Sequence, residues 1–288
     1  MSRSINGGNP EAPSFREASQ EHLSGSDAAR LRRVSDAAAQ AAVRLDNRTH
    51  LDEAKYRVIL RYFGPGLAEA GYSFVSARPF KKAARGRSER AQEHRDRAVR
   101  RSRSRLRHLI LATKSDHLLT LTYRANVVDF DDACRDLAKF VRLVRQRKPD
   151  WTYVAVAERQ KRGAWHWHLA VHGRQDVGLL RTIWLRVVGD GNIDVSAAKS
   201  KRSNRSLALV RYLGKYLAKG FAEDHELNAR RFRASHGIRV PATVLNLPLE
   251  YRGKALTFAI EEVMKAAGRV GFWWEAKDGT AGWVNSWE

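Results

Sequence analysis

The sequence predicts an α+β domain with a mainly antiparallel sheet covered by helices. Three observations carry the prediction. Between Leu106 and about Phe221, strand-like apolar runs alternate with runs of helical period. Two of the strand-like runs, Trp151 to Glu158 and Ala164 to Val171, are joined only by the turn Arg159-Gln160-Lys161-Arg162-Gly163, a hairpin connection that makes neighbours antiparallel. Pro149 and the Gly189 to Gly191 stretch end the helical runs, so strands and helices remain separate elements around one sheet.

In chain order, residues 1 to 26 are rich in Ser, Gly, Asn and Pro and hold too few large apolar groups to offset the entropy of ordering, so a mobile tail is expected. Residues 27 to 44 are rich in Ala and Arg and read as partly helical. From Leu51 to Phe63 the apolar spacing Leu51, Ala54, Val58, Tyr62 predicts a helix stopped at Gly64-Pro65. Residues 81 to 107 hold twelve Lys or Arg against three acids, a stretch of +9 that reads either as a solvated linker or as an arm along a polyanion. Leu106 to Ala112 and Leu118 to Tyr123 read as a hairpin around Lys114-Ser115-Asp116. Asp131 to Arg147 reads as an amphipathic helix through Ala133, Leu137, Phe140, Val141 and Val144. After the Trp151 to Val171 hairpin come a helix from Val177 to Val188, a short strand from Asn192 to Ser196, a basic loop from Lys199 to Ser206 and a helix from Leu207 to Lys219. Beyond Glu223 a strand-like run, Gly237 to Leu247, and a helix, Ala255 to Ala267, precede an aromatic end from Phe272 to Trp287. The predicted organisation is a tail (1–48), a helical and basic extension (49–104), a core domain (105–222) and a C-terminal extension packed on it (223–288).

Composition narrows the partners. The 288 residues can bury a core without disulfides or structural metal. Lys and Arg outnumber Asp and Glu by 53 to 31, and a net charge of +22 favours a polyanion, nucleic acid first. The one cysteine, Cys134, excludes an intrachain disulfide and a cysteine-based zinc module, and it suits a reducing, cytoplasmic setting. No run approaches the roughly 18 apolar residues of a membrane helix, so a membrane is not expected as partner; with nucleic acid as the expected partner, a small-molecule substrate is not expected either.

Three local patterns carry chemistry. In Ala164-Trp-His-Trp-His-Leu-Ala-Val171 a strand period of two puts His166 and His168 on one face and Trp165, Trp167 and Leu169 on the other. Such a pair serves either as metal ligands or as a polar face open to water. Glu158 ends the preceding strand. If it pairs opposite Ala164, its carboxylate shares the face of the two imidazoles, and a one-residue slip would move it away. Otherwise it is a strand-end surface charge. Two imidazoles and a carboxylate leave coordination positions open for a phosphodiester oxygen. The helix Leu209 to Gly220 repeats Tyr-x-x-Lys in tandem, Tyr212 with Lys215 and Tyr216 with Lys219, all on one face beside an apolar stripe of Leu209, Leu213 and Leu217. A phenol is a weak nucleophile at neutral pH, and nearby ammonium groups and a metal-bound phosphate would activate it. The alternative is a basic amphipathic helix whose tyrosines pack. Gly214 within this helix points to a close approach of sheet or substrate.

The order Leu119-Thr-Leu-Thr-Tyr123, Glu158, His166-Trp167-His168, Tyr212-x-x-Lys215-Tyr216 resembles the replication initiators of the HUH endonuclease superfamily (histidine, hydrophobe, histidine), and the paired tyrosines resemble its phage-type, two-tyrosine branch. The likeness spans roughly residues 105 to 222. It implies a sheet of about five antiparallel strands with a ferredoxin- or RNA-recognition-like layout. It implies His166, His168 and Glu158 as ligands of a divalent ion, Mg²⁺ or Mn²⁺, with Zn²⁺ acceptable to the imidazoles. Tyr212 and Tyr216 correspond to nucleophiles, and Lys215 and Lys219 supply charge. Arg159, Lys161 and Arg162 of the turn, Lys199, Lys201, Arg202 and Arg205 of the basic loop, and Arg211 are candidates to grip phosphates. Trp165, Trp184 or Trp273 would stack on bases or belong to the core. The implied activity is nicking and rejoining of single-stranded DNA at a replication origin, through a 5′-phosphotyrosyl link, in a bacterial cytoplasm. No Walker-type loop is present, so a host helicase and polymerase are implied partners. The alternatives are a non-catalytic single-strand-binding protein, and a transposase or relaxase with the same chemistry. The basic stretch before residue 105 and the Trp-rich end lie outside the likeness.

Overall fold

A computed structural model of the chain describes residues 54–77, 91–199, 204–223 and 232–287. Its elements in chain order are β1 (Lys55–Gly64), β2 (Leu67–Val75), α1 (Ala91–Ala112), β3 (His117–Tyr123), α2 (Phe130–Arg147), β4 (Tyr153–Arg159), β5 (Trp165–Val171), α3 (Val177–Val188), β6 (Gly191–Ala197), α4 (Arg205–Glu223), β7 (Phe232–Ala234), β8 (Thr243–Leu247), α5 (Ala255–Ala267), β9 (Phe272–Glu275) and β10 (Ala281–Asn285). The architecture is α+β with two antiparallel five-stranded sheets, each in its own compact unit: Lys81–Pro241 holds one, and Met1–Phe80 with Ala242–Glu288 holds the other.

In the Lys81–Pro241 unit the strand order is β6-β3-β5-β4-β7. The run β3-α2-β4-β5-α3-β6 is a split β-α-β of ferredoxin type, with β5 inserted antiparallel between β3 and β4. The odd-numbered residues of its strands (Leu119, Leu121, Tyr153, Ala155, Trp167, Leu169, Ile193) point to one face, where Leu137, Phe140 and Val144 of α2 and Leu180, Ile183 and Trp184 of α3 bury them. The caps explain where both helices begin. Asp129 accepts the N–H of Asp132 at 2.8 Å, and Asp176 accepts that of Leu179 at 3.0 Å. Gly191 lets β6 close on its neighbours, since a Cβ there would lie 2.6 Å from the Thr122 carbonyl oxygen and 2.8 Å from Trp184 Nε1. The even-numbered face carries a second core, in which Val154, Val156 and Ala170 meet Leu106, Leu109 and Ile110 of α1 and Leu209, Leu213 and Leu217 of α4.

Two expectations fail here. Leu106 to Ala112 is not a strand but the last two turns of α1, whose Leu106, His108, Leu109, Ile110 and Leu111 are all buried. A short continuous apolar run looks the same in a buried helix as in a buried strand. The fifth strand of the sheet is instead β7, a three-residue piece beside β4. The basic stretch, where described, is not a linker but part of this same helix.

The other unit orders its strands β8-β1-β2-β10-β9. Helix α5 packs Ala255, Phe258, Ala259 and Val263 against Tyr56, Val58, Ala70, Tyr72 and Val284. The predicted helix from Leu51 to Phe63 is therefore strand β1 where it is described. Tyr56 and Val58 face the core while Arg57 is exposed, and the β-branched and aromatic residues of Tyr56-Arg-Val-Ile-Leu-Arg-Tyr62 favour the pleated surface over the helix that four spaced apolar residues suggest. Gly64 (φ +130°) and Gly66 (φ +71°) turn the chain into β2. Of the run Gly237 to Leu247 only Thr243–Leu247 is strand, and the aromatic end is the β9–β10 hairpin. Residues 54–77 and 242–287 thus share one sheet instead of forming separate extensions.

Candidate active site

The even-numbered face is apolar where α4 crosses it and polar at one end. Cross-strand partners place Glu158 opposite His166 opposite Thr122, and the next row runs Val156, His168, Thr120. The hairpin register differs by two residues from the expected Glu158–Ala164 pairing, because Arg159 also pairs, opposite Trp165. A shift of two preserves the face, so the carboxylate and both imidazoles converge. Glu158 Oε2 lies 2.8 Å from His168 Nε2, and the two imidazole rings are 6.4 Å apart.

Helix α4 brings the phenols to the same place. Leu209, Leu213 and Leu217 anchor its apolar stripe in the even-face core, which fixes the azimuth of Tyr212 and Tyr216 one residue away. The Tyr216 ring stacks on His168 at 4.6 Å and 19°, and Tyr212 meets the same imidazole edge-on at 5.7 Å. Tyr216 donates its hydroxyl to Tyr212 Oη at 3.2 Å. Tyr216 is half-buried, and burial, the Tyr212 hydroxyl and the Glu158 charge all raise its pKa well above the usual phenol value. Tyr212 is 38% exposed and is the phenol that a ligand reaches first. Lys219 Nζ lies 3.7 Å from Glu158 Oε1, so this lysine is held by the carboxylate, while Lys215 is exposed.

Two features are informative about what the site can hold. His166 is buried, and its Nε2 has no hydrogen-bond partner, an arrangement that costs about 1–3 kcal/mol unless something else uses the lone pair. Burial, His168 and Arg162 lower its pKa, outweighing Glu158, so the imidazole is held neutral and able to ligate. His168 is clamped from both sides: Thr120 Oγ1 sits 3.2 Å from Nδ1, opposite the Glu158 contact on Nε2. Thr120 can accept from Nδ1–H or donate to bare Nδ1, and the first arrangement leaves the Nε2 lone pair available to an ion. Two imidazoles and a carboxylate fit a divalent cation by donor type. Among the described residues, however, no three His, Cys, Asp or Glu side chains already stand at ligating positions around one point, because Glu158 is turned onto His168 and Lys219. No sequence pattern marks Thr120, because its partner follows only from the β3–β5 register that sets it opposite His168.

The remaining candidates divide. Arg162 caps the end of β3, donating to the carbonyls of Tyr123 (2.7 Å) and Arg124 (3.3 Å). Arg159 donates to Gly163 across the turn, and Lys161 is exposed. Lys199, Arg205 and Arg211 are exposed, while Lys201 and Arg202 lie outside the described residues, as does the tail at residues 1–48. Trp184 is buried and donates to Thr122 O, and Trp165 donates to Val128 O and packs on Phe130, so both belong to the structure of the odd face. Trp273 is half exposed but lies on β9 of the other unit. A Cβ at Gly214 would meet nothing within 4 Å, so no close approach to the sheet explains that glycine.

Residues 116–221 match a family model of replication-associated proteins, the ORF2 family, and this segment contains every residue of the cluster just described. The match supports a replication-associated protein. It covers a little over a third of the chain and leaves out α1 and the second unit. No curated protein matches the chain. Among solved structures, the hypothetical protein ORF119 from Sulfolobus islandicus rod-shaped virus 1 is similar at 12% identity over 44% of this chain and 97% of that one, with a TM-score of 0.29, a likeness too low to define a fold. Among the described residues no helix is long and apolar enough to cross a membrane.

Proposed function

We propose that the chain is a metal-dependent endonuclease of the HUH type that initiates rolling-circle replication by nicking and rejoining single-stranded DNA at an origin. The observation that carries this reading is the convergence of Glu158, His166 and His168 with the phenols of Tyr212 and Tyr216 at one end of one sheet face. A surface merely binding nucleic acid has no need of a buried imidazole with an orphaned nitrogen beside a second imidazole packed by two phenols.

In this reading His166, His168 and Glu158 hold a divalent ion, Mg²⁺ or Mn²⁺, which when bound polarises the scissile phosphate. His168 Nε2 and Glu158 Oε2, which contact each other, would both be ligands of such an ion, and Thr120 orients the imidazole through Nδ1. Tyr212, the more exposed phenol, is the first nucleophile. Its Oη bonds to phosphorus, the bond from phosphorus to the 3′ oxygen breaks, the phenolic proton leaves to solvent, and the leaving 3′ oxygen is protonated. The product is a 5′-phosphotyrosyl link and a free 3′-hydroxyl that a polymerase extends. Tyr216 donates its hydroxyl to Tyr212 Oη and so favours charge there. After one round Tyr216 is the second nucleophile: its Oη bonds to phosphorus at the regenerated junction and frees a 3′-hydroxyl, which attacks the Tyr212 phosphotyrosyl phosphorus, breaks the bond to Tyr212 Oη, returns a proton to that phenol and closes the displaced strand. Lys219, beside Glu158, and the exposed Lys215 would neutralise phosphate charge.

The test is a labelled single-stranded oligonucleotide carrying the origin. A covalent adduct that survives denaturation, requires divalent metal and disappears in the Tyr212→Phe, Tyr216→Phe double variant is the expected result. Binding with no adduct under any metal would leave only a non-catalytic single-strand-binding protein.

A further inference from the structure

The geometry points to α1 as a second DNA-binding element, one that grips double-stranded DNA through both phosphate strands. This inference stands apart from the tyrosine chemistry and from the matched segment, which begins beyond α1. The helix Ala91–Ala112 contains seven arginines and two acids, Glu93 and Asp96. Its azimuths are sorted. Leu106, Leu109 and Ile110 bury one side in the core beneath α4. Away from that side Arg97, Arg101 and Arg105 follow one another at four-residue intervals, and Arg100 and Arg103 form a second row roughly a third of a turn away around the axis. All five are exposed, and between the rows lie the exposed Glu93 near the start of the helix, the half-buried Ser104 and the buried Leu111.

The dimensions favour a duplex over a single strand. The first row spans about 12 Å, from the 1.5 Å rise per residue, and the helix with side chains is about 10–12 Å across. The major groove of B-form DNA is about 12 Å wide and admits a helix, so two rows of guanidinium reach phosphates on both of its walls. A single strand offers one row of phosphates and leaves the second arginine row without a partner. The deep, narrow major groove of A-form RNA does not admit such a helix. Among the described residues, Ser104 and Glu93 are the only polar side chains between the rows, few groups to read base edges, so the contact is one of backbone charge. Because Leu106, Leu109 and Ile110 are anchored in the same core as Leu213, this grip holds a fixed place relative to the helix that carries the tyrosines.

The experiment is fluorescence anisotropy on the full chain in EDTA over a range of salt, with three probes of one sequence: DNA duplex, DNA single strand and RNA duplex. For Arg97→Gln/Arg101→Gln/Arg105→Gln the expected result is a tenfold or greater loss on DNA duplex at about 0.1 M salt. The salt slope should fall by about 0.9 for each phosphate contact removed. Single-strand affinity is expected to change less than about threefold, and the corresponding Arg→Lys triple to restore duplex binding, since both residues neutralise a phosphate as point charges. Arg142→Gln/Arg181→Gln/Arg186→Gln, which removes equal charge from exposed positions of α2 and α3, serves as the control. Equal losses in that control, equal losses on single strand and duplex, or RNA duplex bound as tightly as DNA would each overturn the proposal.

Discussion

Thr120 illustrates how much a single hydroxyl can decide. It contacts the one nitrogen of His168 that faces away from Glu158, and with that contact removed the ring is free to rotate and to hold its proton on the wrong nitrogen. Thr120→Val is expected to weaken metal affinity or nicking by about 10–100-fold, the usual effect of losing a partner behind a ligating histidine. Titrating Mn²⁺ into an adduct assay checks it, and an unchanged midpoint would remove Thr120 from the site. His166 makes a separate prediction on pH. Its folded pKa is depressed, so between the ordinary imidazole value of about 6.5 and the lower folded value the unfolded chain binds a proton that the native one refuses. Its contribution is fully present above that ordinary value and is lost as pH falls through the folded one. Denaturant unfolding in EDTA should therefore show stability declining with acidification less steeply in His166→Gln than in the parent; parallel curves would contradict the assignment.

Helix α4 joins packing to chemistry. Leu213 is fully buried and sits between the two tyrosines in sequence, so Leu213→Ala is expected to cost about 2–5 kcal/mol and to disturb the stacking of Tyr216 on His168. Chemical denaturation gives the first and adduct yield at saturating metal the second. Gly214 predicts the opposite sign. Its Cβ position opens onto free space, so Gly214→Ala should stabilise by about 0.5–1 kcal/mol with nicking intact, and a drop in nicking would show that bound DNA needs the space. The elements legible in the sequence were those whose period matched their burial. Val177–Val188 and Ala255–Ala267 have the predicted bounds, and α2 and α4 lie within a few residues of theirs. Parity alone puts His166 and His168 on one face, whereas the place of Glu158 hangs on the hairpin register, which is shifted by an even number of residues from the expected one. What misled was apolar content without a distinguishing period. Leu106-Arg-His-Leu-Ile-Leu-Ala112 is buried nearly all round, and Tyr56 to Tyr62 has a helical subset of apolar positions inside an alternating strand. Three-residue β7 has too few side chains for any period.

At the scale of the whole molecule, pairing between distant segments was the least legible feature. Strand β1 bonds to β8 across nearly two hundred residues, from Ile59 to Val244 for example, and no local pattern announces such a partner. Deleting residues 242–288 takes β8, α5, β9 and β10 away and uncovers Val58, Ala70 and Tyr72 on the hairpin left behind. Differential scanning calorimetry is expected to lose one transition and keep another, that of the Lys81–Pro241 unit. Loss of both would show that the two units melt as one body.

The same connectivity constrains synthesis. A ribosome emits β1 and β2 early and their strand partners only about 170 residues later, which at 5–20 residues per second is a delay on the order of ten to thirty seconds. During that interval the ferredoxin-type core emerges and can close towards its end, whereas the nascent hairpin waits with unpaired edges. Chaperone demand and co-translational aggregation should therefore concentrate in the N-terminal strands.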